Sequence, residues 1–281
     1  MKRILALILV AALCFGLAGC GEEQIGSYTV LEEIGTKEYA AIYRSDDVIP
    51  EVVEAAISSL AASGTLSRLA GNWLGSNEYI KFQGDFSALS NIEEMPPART
   101  LMIGVDTDSP PFAYTSGAEL VGFTVDLAKA IGSVIGWDVK IIPIRSDEVD
   151  IQLSSGNVDC ALGFSPLCVD PAKYVVGTVL MESEIVIAVP EDSDVRNIRR
   201  IRGERIGTIS DPALENAITN HDKISKHSDG ATVYVTPPRC ISAMENGWCV
   251  AIVMDVLMLE AYAKSYRPVE INPGEIIFDF G

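Results

Sequence analysis

Histidine, closely spaced cysteines and basic charge are what this sequence has least of. Its 281 residues include two histidines, His221 and His227, and no two cysteines in CxxC spacing. Zinc sites draw on such ligands at short intervals, so neither a metal centre nor any other cofactor is expected. Lys and Arg number 21 against 39 Asp and Glu, a formal net charge of −18. A surface this acidic repels phosphate backbones, which argues against nucleic acid as a partner, although the same charge also simply keeps a soluble chain dispersed. Aromatics are only 7% of the residues, but hydrophobics reach 48% and charges 21%, a globular rather than a disordered composition. Long apolar runs are absent after the N-terminus. No nucleophile–base pair stands out, so the composition points away from an enzyme.

The one extended apolar run, Ile4 to Phe15, follows Lys2 and Arg3. At about 12 residues it falls short of the roughly 20 needed to span a bilayer, and reads as a signal peptide over residues 1–19. The tetrad Leu17-Ala18-Gly19-Cys20 resembles the lipobox of bacterial lipoproteins. That resemblance implies cleavage before Cys20 and acylation of its thiol, with residues 20–27 as a lipid-anchored tether. A signal peptide cut elsewhere is the alternative. Cys160, Cys168, Cys240 and Cys249 remain. Export permits disulfides, yet four cysteines allow three connectivities that sequence does not choose between, and four buried free thiols are the other reading.

From Arg99 onward strands and helices alternate, which implies an α/β fold with a mostly parallel sheet. Thr100 to Val105 is an apolar run ending in Asp106 and the Ser109-Pro110-Pro111 turn. Phe123 to Ile135 has helical spacing and stops at Gly136. Strands are expected at 139–144 and 158–164, with a short helix at 149–153 between them. A second unit opens near Glu184, with strands at 185–189, 205–209, 232–235 and 250–254, and helices at 212–219, 241–245 and after Asp255. Ahead of Arg99, residues 39–43 read as a strand. Residues 50–62 form an amphipathic helix with Val53, Ile57 and Leu60 aligned, and residues 65–73 a second helix. Residues 76–97 mix polar residues, Gly and Pro96-Pro97 and read as a linker.

The segments "LMIGVDTDSPPFAY", "GAELVGFTVDLAKAIGSVIGW", "LSSGNVDCALG", "RIRGERIGTIS" and "AMENGWCVAIVMD" occur in this order. Together they resemble the polar-amino-acid solute-binding proteins of ABC importers, bacterial extracellular solute-binding family 3. The resemblance implies a two-lobed periplasmic-binding-protein-like fold of type II. Such a domain normally finishes with a strand, an amphipathic helix and a short Trp-containing helix ending in Gly. That finish is not found before Gly281; its likeness stands at the front, from Gly35 to Gly75. The order is therefore that of a circular permutation, with residues 28–75 and 98–184 forming lobe 1 and residues 185–281 lobe 2. A 22-residue linker reaches up to roughly 70 Å, ample for termini that lie close together. A dimer that swaps its front segment, or a remnant of a tandem protein, is the alternative to a permuted monomer.

The resemblance also implies a ligand held between lobes that close by a hinge. Asp255, after the strand "AIVM", matches the family carboxylate that takes an ammonium, and it also suits an N-cap of the next helix. Phe112 and Tyr114 match the aromatic wall, with core packing as the other role for Phe112. Asp106 fits the same pattern, and Asp126, in a first helical turn, reads as structural. Gly163, Phe164 and Ser165 offer backbone contacts. The family arginine position falls on Pro171, with Lys173 nearby only as a point charge. The usual Gly-Thr at the second lobe's helix becomes Asp211-Pro212, next to Ser210, and Asp211 there would repel a carboxylate. The cleft is expected to be electronegative and to favour a small polar, amine-bearing or amino-acid-like solute. The partners implied are that solute, an ABC importer permease, and the membrane through the Cys20 lipid, which places the protein on the cell surface or in the periplasm. A non-transport sensor or surface interaction module on the same fold is the second reading, and an enzyme on that fold the third.

Overall fold

The structure, a computed structural model, describes residues 28–45, 48–228, 230–265 and 276–280. The signal peptide, Cys20 and its tether lie outside these residues. In chain order the elements are β1 (Tyr28–Arg44), α1 (Ile49–Ala62), α2 (Thr65–Leu74), β2 (Thr100–Val105), β3 (Asp108–Ser109), β4 (Ala113–Ser116), β5 (Glu119–Val121), α3 (Phe123–Ile135), β6 (Asp138–Pro143), α4 (Val149–Ser154), β7 (Cys160–Phe164) and β8 (Tyr174–Pro190). The second half holds β9 (Ile206–Ile209), α5 (Pro212–Asn220), α6 (Asp222–His227), β10 (Ala231–Tyr234), α7 (Pro237–Glu245), β11 (Ala251–Asp255), α8 (Val256–Ser265) and β12 (Ile276–Phe280). No helix among the described residues is long and apolar enough to cross a membrane.

Nine strands form one sheet in the order β12-β10-β9-β11-β8-β1-β7-β2-β6. It contains two parallel blocks, β6-β2-β7 and β10-β9-β11, bridged by β8 and β1, which are antiparallel to each other and 17 residues long. Each long strand passes from one hydrophobic core to another. Tyr28, Leu31 and Ile34 pack against the core of Ile185–Val189, while Tyr39, Ala41 and Tyr43 lie in the core that contains Leu180 and Met181. The β1–β8 register shifts four times between Val30 and Ile42. Such bulges bend and twist a strand pair, which suits a two-strand hinge between two lobes.

Helix α1 buries Ile49, Val52, Val53, Ala56, Ile57 and Leu60. With α2 it packs on α3 and on the long strands. Two side chains, Glu54 and Trp73, tie this front segment down. Glu54 accepts from the Tyr43 hydroxyl at 2.6 Å and from the Thr178 N–H at 2.9 Å, and the Trp73 indole N–H donates to Asp126 at 2.9 Å. Asp126 thus has the structural role expected of it, through a partner 53 residues away.

Most elements fall where the periodicity placed them, and Phe123–Ile135 coincides to the residue. Four expectations need correction. The short strands expected at 39–43 and 185–189 are parts of two 17-residue strands, each running through one core and into the other across a polar middle (Lys37, Glu38; Glu182, Ser183, Glu184) that pairs in the ladder without an apolar stripe. Residues 28–34 consequently belong to the second core rather than to lobe 1. The segment 76–97 is irregular but docked: Ile80 bridges to Met181, and Tyr79, Phe82, Leu89 and Ile92 lean on the first core. A Cβ at Gly84 would lie 1.7 Å from the Ser58 carbonyl oxygen, so only glycine lets the segment pass this close. The β3–β4–β5 meander and α6 had no sequence counterpart, being two to six residues each.

Candidate functional site

The carboxyl ends of the parallel strands in both halves of the sheet turn toward one place. Asp106 follows β2, Arg145 and Ser146 follow β6, Ser210 and Asp211 follow β9, Val235 follows β10, and Asp255 ends β11. Open α/β sheets bind ligands at such strand ends. Asp106, Asp108, Arg145 and Ser146 from one side, and Ile209, Ser210, Val235 and Pro237 from the other, line a cavity of about 30 Å³. Two hydrogen bonds cross between the sides. The Tyr262 hydroxyl donates to the Asp108 carbonyl at 2.8 Å, and the Ser146 hydroxyl to Oδ2 of Asp211 at 3.3 Å. Larger depressions of about 550 and 370 Å³ open at residues 77–86 and beside hinge residues Glu33 and Glu182, not at these strand ends.

Below this cavity lies a buried ion pair. Lys37, 4% exposed, reaches from the hinge strand β1 to Oδ2 of Asp211, 2% exposed, with Nζ at 2.7 Å. The same ammonium sits 4.7 Å from the centre of the Tyr39 ring, which stacks on Phe112 at 4.4 Å. Lys37 and Tyr39 share a strand face, being two residues apart. Asp211 also caps α5, its Oδ1 accepting from the N–H groups of Ala213 at 2.9 Å and Leu214 at 3.4 Å. Burial penalises both charges. The attraction of Asp211, with Tyr39 and Asp255, nevertheless holds Lys37 well above the usual ammonium range, and Lys37 holds Asp211 below the usual carboxylate range.

Asp255 is fully buried next to this pair. Its Oδ1 accepts from the Met258 N–H at 3.1 Å and the Ser183 hydroxyl at 3.2 Å. It therefore does cap the following helix. Its Oδ2 and the hydroxyl of neighbouring Tyr39 lack a hydrogen-bond partner of normal geometry. Burial pushes the Asp255 carboxyl above the ordinary carboxylate pKa range, against the pull of Lys37. Asp106 is pushed up to about 6, first by burial, with the Asp108 N–H and Lys37 opposing.

The remaining expected residues are spread around this centre. The Phe112 ring is 3% exposed and faces Tyr39 in the core. Tyr114 meets Trp73 edge-on at 6.3 Å. Gly163 has φ +79°, and a Cβ there would strike Thr124 at 2.5 Å. Phe164 is buried in a third cluster with Ile42 and Ile144. Ser165 caps the short turn at Pro166–Cys168, accepting from the Leu167 N–H at 3.3 Å. Lys173 is exposed and pairs with Asp170 at 3.8 Å, so the buried cation at the strand ends is Lys37 instead. The expected repulsion by Asp211 is likewise corrected, since its charge is matched by Lys37 and its lone pairs are taken up by α5 and Ser146. Sequence reading missed Lys37, Arg145 and Ser146. The available signal was a lysine two residues before the apolar run Tyr39–Tyr43, on the same face as its tyrosine. Cys160, Cys168, Cys240 and Cys249 are free thiols, with burial pushing each up.

Comparison with known proteins agrees with this architecture. Residues 101–255 match the family described as bacterial extracellular solute-binding proteins, family 3. The arginine-binding extracellular protein ArtP of Bacillus subtilis is 26% identical over 110 residues, 39% of this chain and 43% of that protein. The chain thus spans less than half the length of that relative. Among solved structures, an ABC uptake transporter substrate-binding protein from Streptococcus pneumoniae with bound histidine superposes with a TM-score of 0.54 at 20% identity. The match covers 58% of this chain and 68% of that one. An amino-acid ABC transporter substrate-binding protein from the same organism, bound to L-arginine, gives 0.50 at 18% identity over 57% and 69%.

Proposed function

Because the chain belongs to family 3 of the bacterial extracellular solute-binding proteins, we propose that it captures a small polar, amine-bearing or amino-acid-like solute between its two lobes and delivers it to the permease of an ABC importer. The observation that carries this reading is the meeting of loops from both parallel blocks at one cleft, with hydrogen bonds from Tyr262 and Ser146 spanning it. Asp106 and Arg145 line the cleft wall, with Asp255 buried behind it; Arg145, paired with Asp147 at 3.0 Å, would reach a ligand carboxylate or carbonyl by exchanging that partner. A lipid on Cys20 would hold the receptor at the membrane. The role is binding rather than turnover.

The order of segments supports a circular permutation. The family match begins at residue 101, while β1, ahead of it, lies between β7 and β8, and α1 and α2 cover the first core. Residues 76–97 then join the two pieces on the outside of lobe 1.

A thermal-shift panel of α-amino acids, primary amines and short peptides tests the binding role. At a hundred times its dissociation constant a true ligand stabilises the folded state by about 2.7 kcal/mol, a melting shift of several degrees at this size. Asp255→Asn, which still caps a helix, is expected to weaken binding roughly ten- to a hundredfold, the value of about 1.5–3 kcal/mol for a hydrogen bond to a charged group. A panel without a single saturable shift would overturn the reading.

A further inference from the structure

An ammonium group already lies where the two lobes meet, and the protein supplies it. Lys37 Nζ is held at 2.7 Å by Asp211, stands 4.7 Å from the face of Tyr39, and is buried. Asp211 is engaged from three directions: by Lys37 from the hinge, by the N-terminus of α5, and by Ser146 from the opposite lobe. Alongside them, Oδ2 of Asp255 and the hydroxyl of Tyr39 are fully buried and have only each other as neighbours to pair with, at poor hydrogen-bond geometry. A carboxylate, a second carboxylate with one oxygen only weakly engaged, and an aromatic face backed by a second ring are the components from which proteins build sites for primary ammonium groups.

We propose that these groups form an ammonium-binding site of which Lys37 is the tethered occupant, so that the cleft closes on its own lysine and an incoming amine binds only by displacing it. This rests on the solute-binding reading above and names the regulation of that same cleft. Two physical consequences follow. First, the carboxylate of Asp211 takes up the free N–H groups at the start of α5, a natural seat for an anion. The zwitterionic head of an α-amino acid therefore finds both its cation and its anion positions filled by side chains of the protein. Second, a buried ion pair is costly to desolvate, and removing one partner leaves the other charge uncompensated. Taking away Lys37 alone leaves Asp211 and Asp255 in want of a cation, and a free ammonium of matching size then has a site to fill.

The test uses the chain from residue 21 onward, in three forms: the natural sequence, Lys37→Ala, and Lys37→Ala with Asp211→Asn. The probe is n-propylammonium chloride, whose three carbons and nitrogen replace Cγ, Cδ, Cε and Nζ of the removed side chain. Sodium chloride at equal ionic strength and n-propanol control for salt and for apolar filling. Melting temperature is measured against probe concentration. Lys37→Ala is expected to show a saturable upward shift, with the half-saturating concentration at least tenfold lower than for the natural sequence and with no effect of n-propanol. The Asp211→Asn double variant is expected to lose that response. If Lys37→Ala purifies unfolded, refolding that succeeds only in the presence of the probe supports the site. The proposal is overturned if Lys37→Ala responds no more than the double variant, or if it stays unfolded with the probe present. These outcomes are independent of the solute panel. A natural sequence that binds no solute, beside a Lys37→Ala form that binds propylammonium, would sink the import role and leave the tethered lysine standing.

Discussion

Ile57 lies at the centre of the front segment's contact with the rest of the molecule, and its truncation measures what that contact is worth. The side chain is fully buried on α1, in one cluster with Leu127 and Ile131 of α3. Ile57→Ala removes three carbons, about 2.4 kcal/mol at roughly 0.8 kcal/mol per buried group. The walls around it belong to helices pinned by Glu54 and Trp73, so the site cannot collapse fully, and the retained cavity carries the loss toward about 3 kcal/mol, inside the usual range for such changes. That is a large part of the stability of an ordinary domain, and at this size it corresponds to roughly 6–12 °C in melting temperature. Urea unfolding followed by far-UV circular dichroism reads the loss directly, with an unchanged slope expected because the native surface is unaltered. A cost below about 1 kcal/mol would refute the packing argument. The same titration repeated over about a hundredfold range of protein concentration separates a permuted monomer from a dimer that swaps residues 28–75. An intramolecular contact gives a midpoint independent of concentration, whereas a swapped one makes it rise with concentration.

Two further outcomes bear on the cleft. Asp106 is raised in the folded state to about 6 by burial, in the presence of Lys37, Asp108, Asp211 and Arg145. The folded chain therefore holds that proton more tightly than the unfolded one, and the stabilisation is full below the unfolded value near 4 and is lost as pH rises through about 6. Asp106→Asn should remove that slope, and a difference between the two stability–pH curves that stays flat from pH 4 to 7 would contradict the assignment. Tyr262→Phe deletes the 2.8 Å bond to the Asp108 carbonyl. At about 0.5–1.5 kcal/mol for such a bond, closure should weaken by roughly two- to twelvefold, seen as a longer distance between spin labels on the two lobes; an unchanged distance distribution would show that the bond does not latch the cleft.

The fold was legible wherever burial imposes a period. Helix α3 shows apolar residues on one face and a glycine stop, and its ends were found to the residue. The parallel strands are short apolar runs, all but the edge strand β6 largely buried, and they too were found within about two residues. What could not be read is the length of β1 and β8. Their middle residues leave one core before they enter the next, so the stretch through Lys37, Glu38, Glu182, Ser183 and Glu184 carries no apolar stripe and resembles a loop. A hinge is invisible to a method that looks for hydrophobic periodicity, because a hinge is where the core is interrupted.

The site was half legible for a related reason. Motif order located the strand ends and with them Asp106, Asp211 and Asp255, since these follow recognisable apolar runs. Their charge states, however, depend on a residue 174 positions from Asp211 in the chain. Without Lys37 the three carboxylates read as an electronegative cleft waiting for a cation; with it, Asp211 is neutralised and the cation is present. The neutralising residue comes from the polar middle of β1, which the sequence concealed. Recognising the tail of the domain at the front of the chain gave Tyr39–Tyr43 and the two helices, but the strand had to be extended back to Tyr28 before Lys37 came to lie beside Ser183 on the hinge. Strand length and cleft chemistry are thus one unknown: the residues that make β1 hard to see as a strand are polar because they pass between two cores, and the same passage carries Lys37 to the place where the lobes meet.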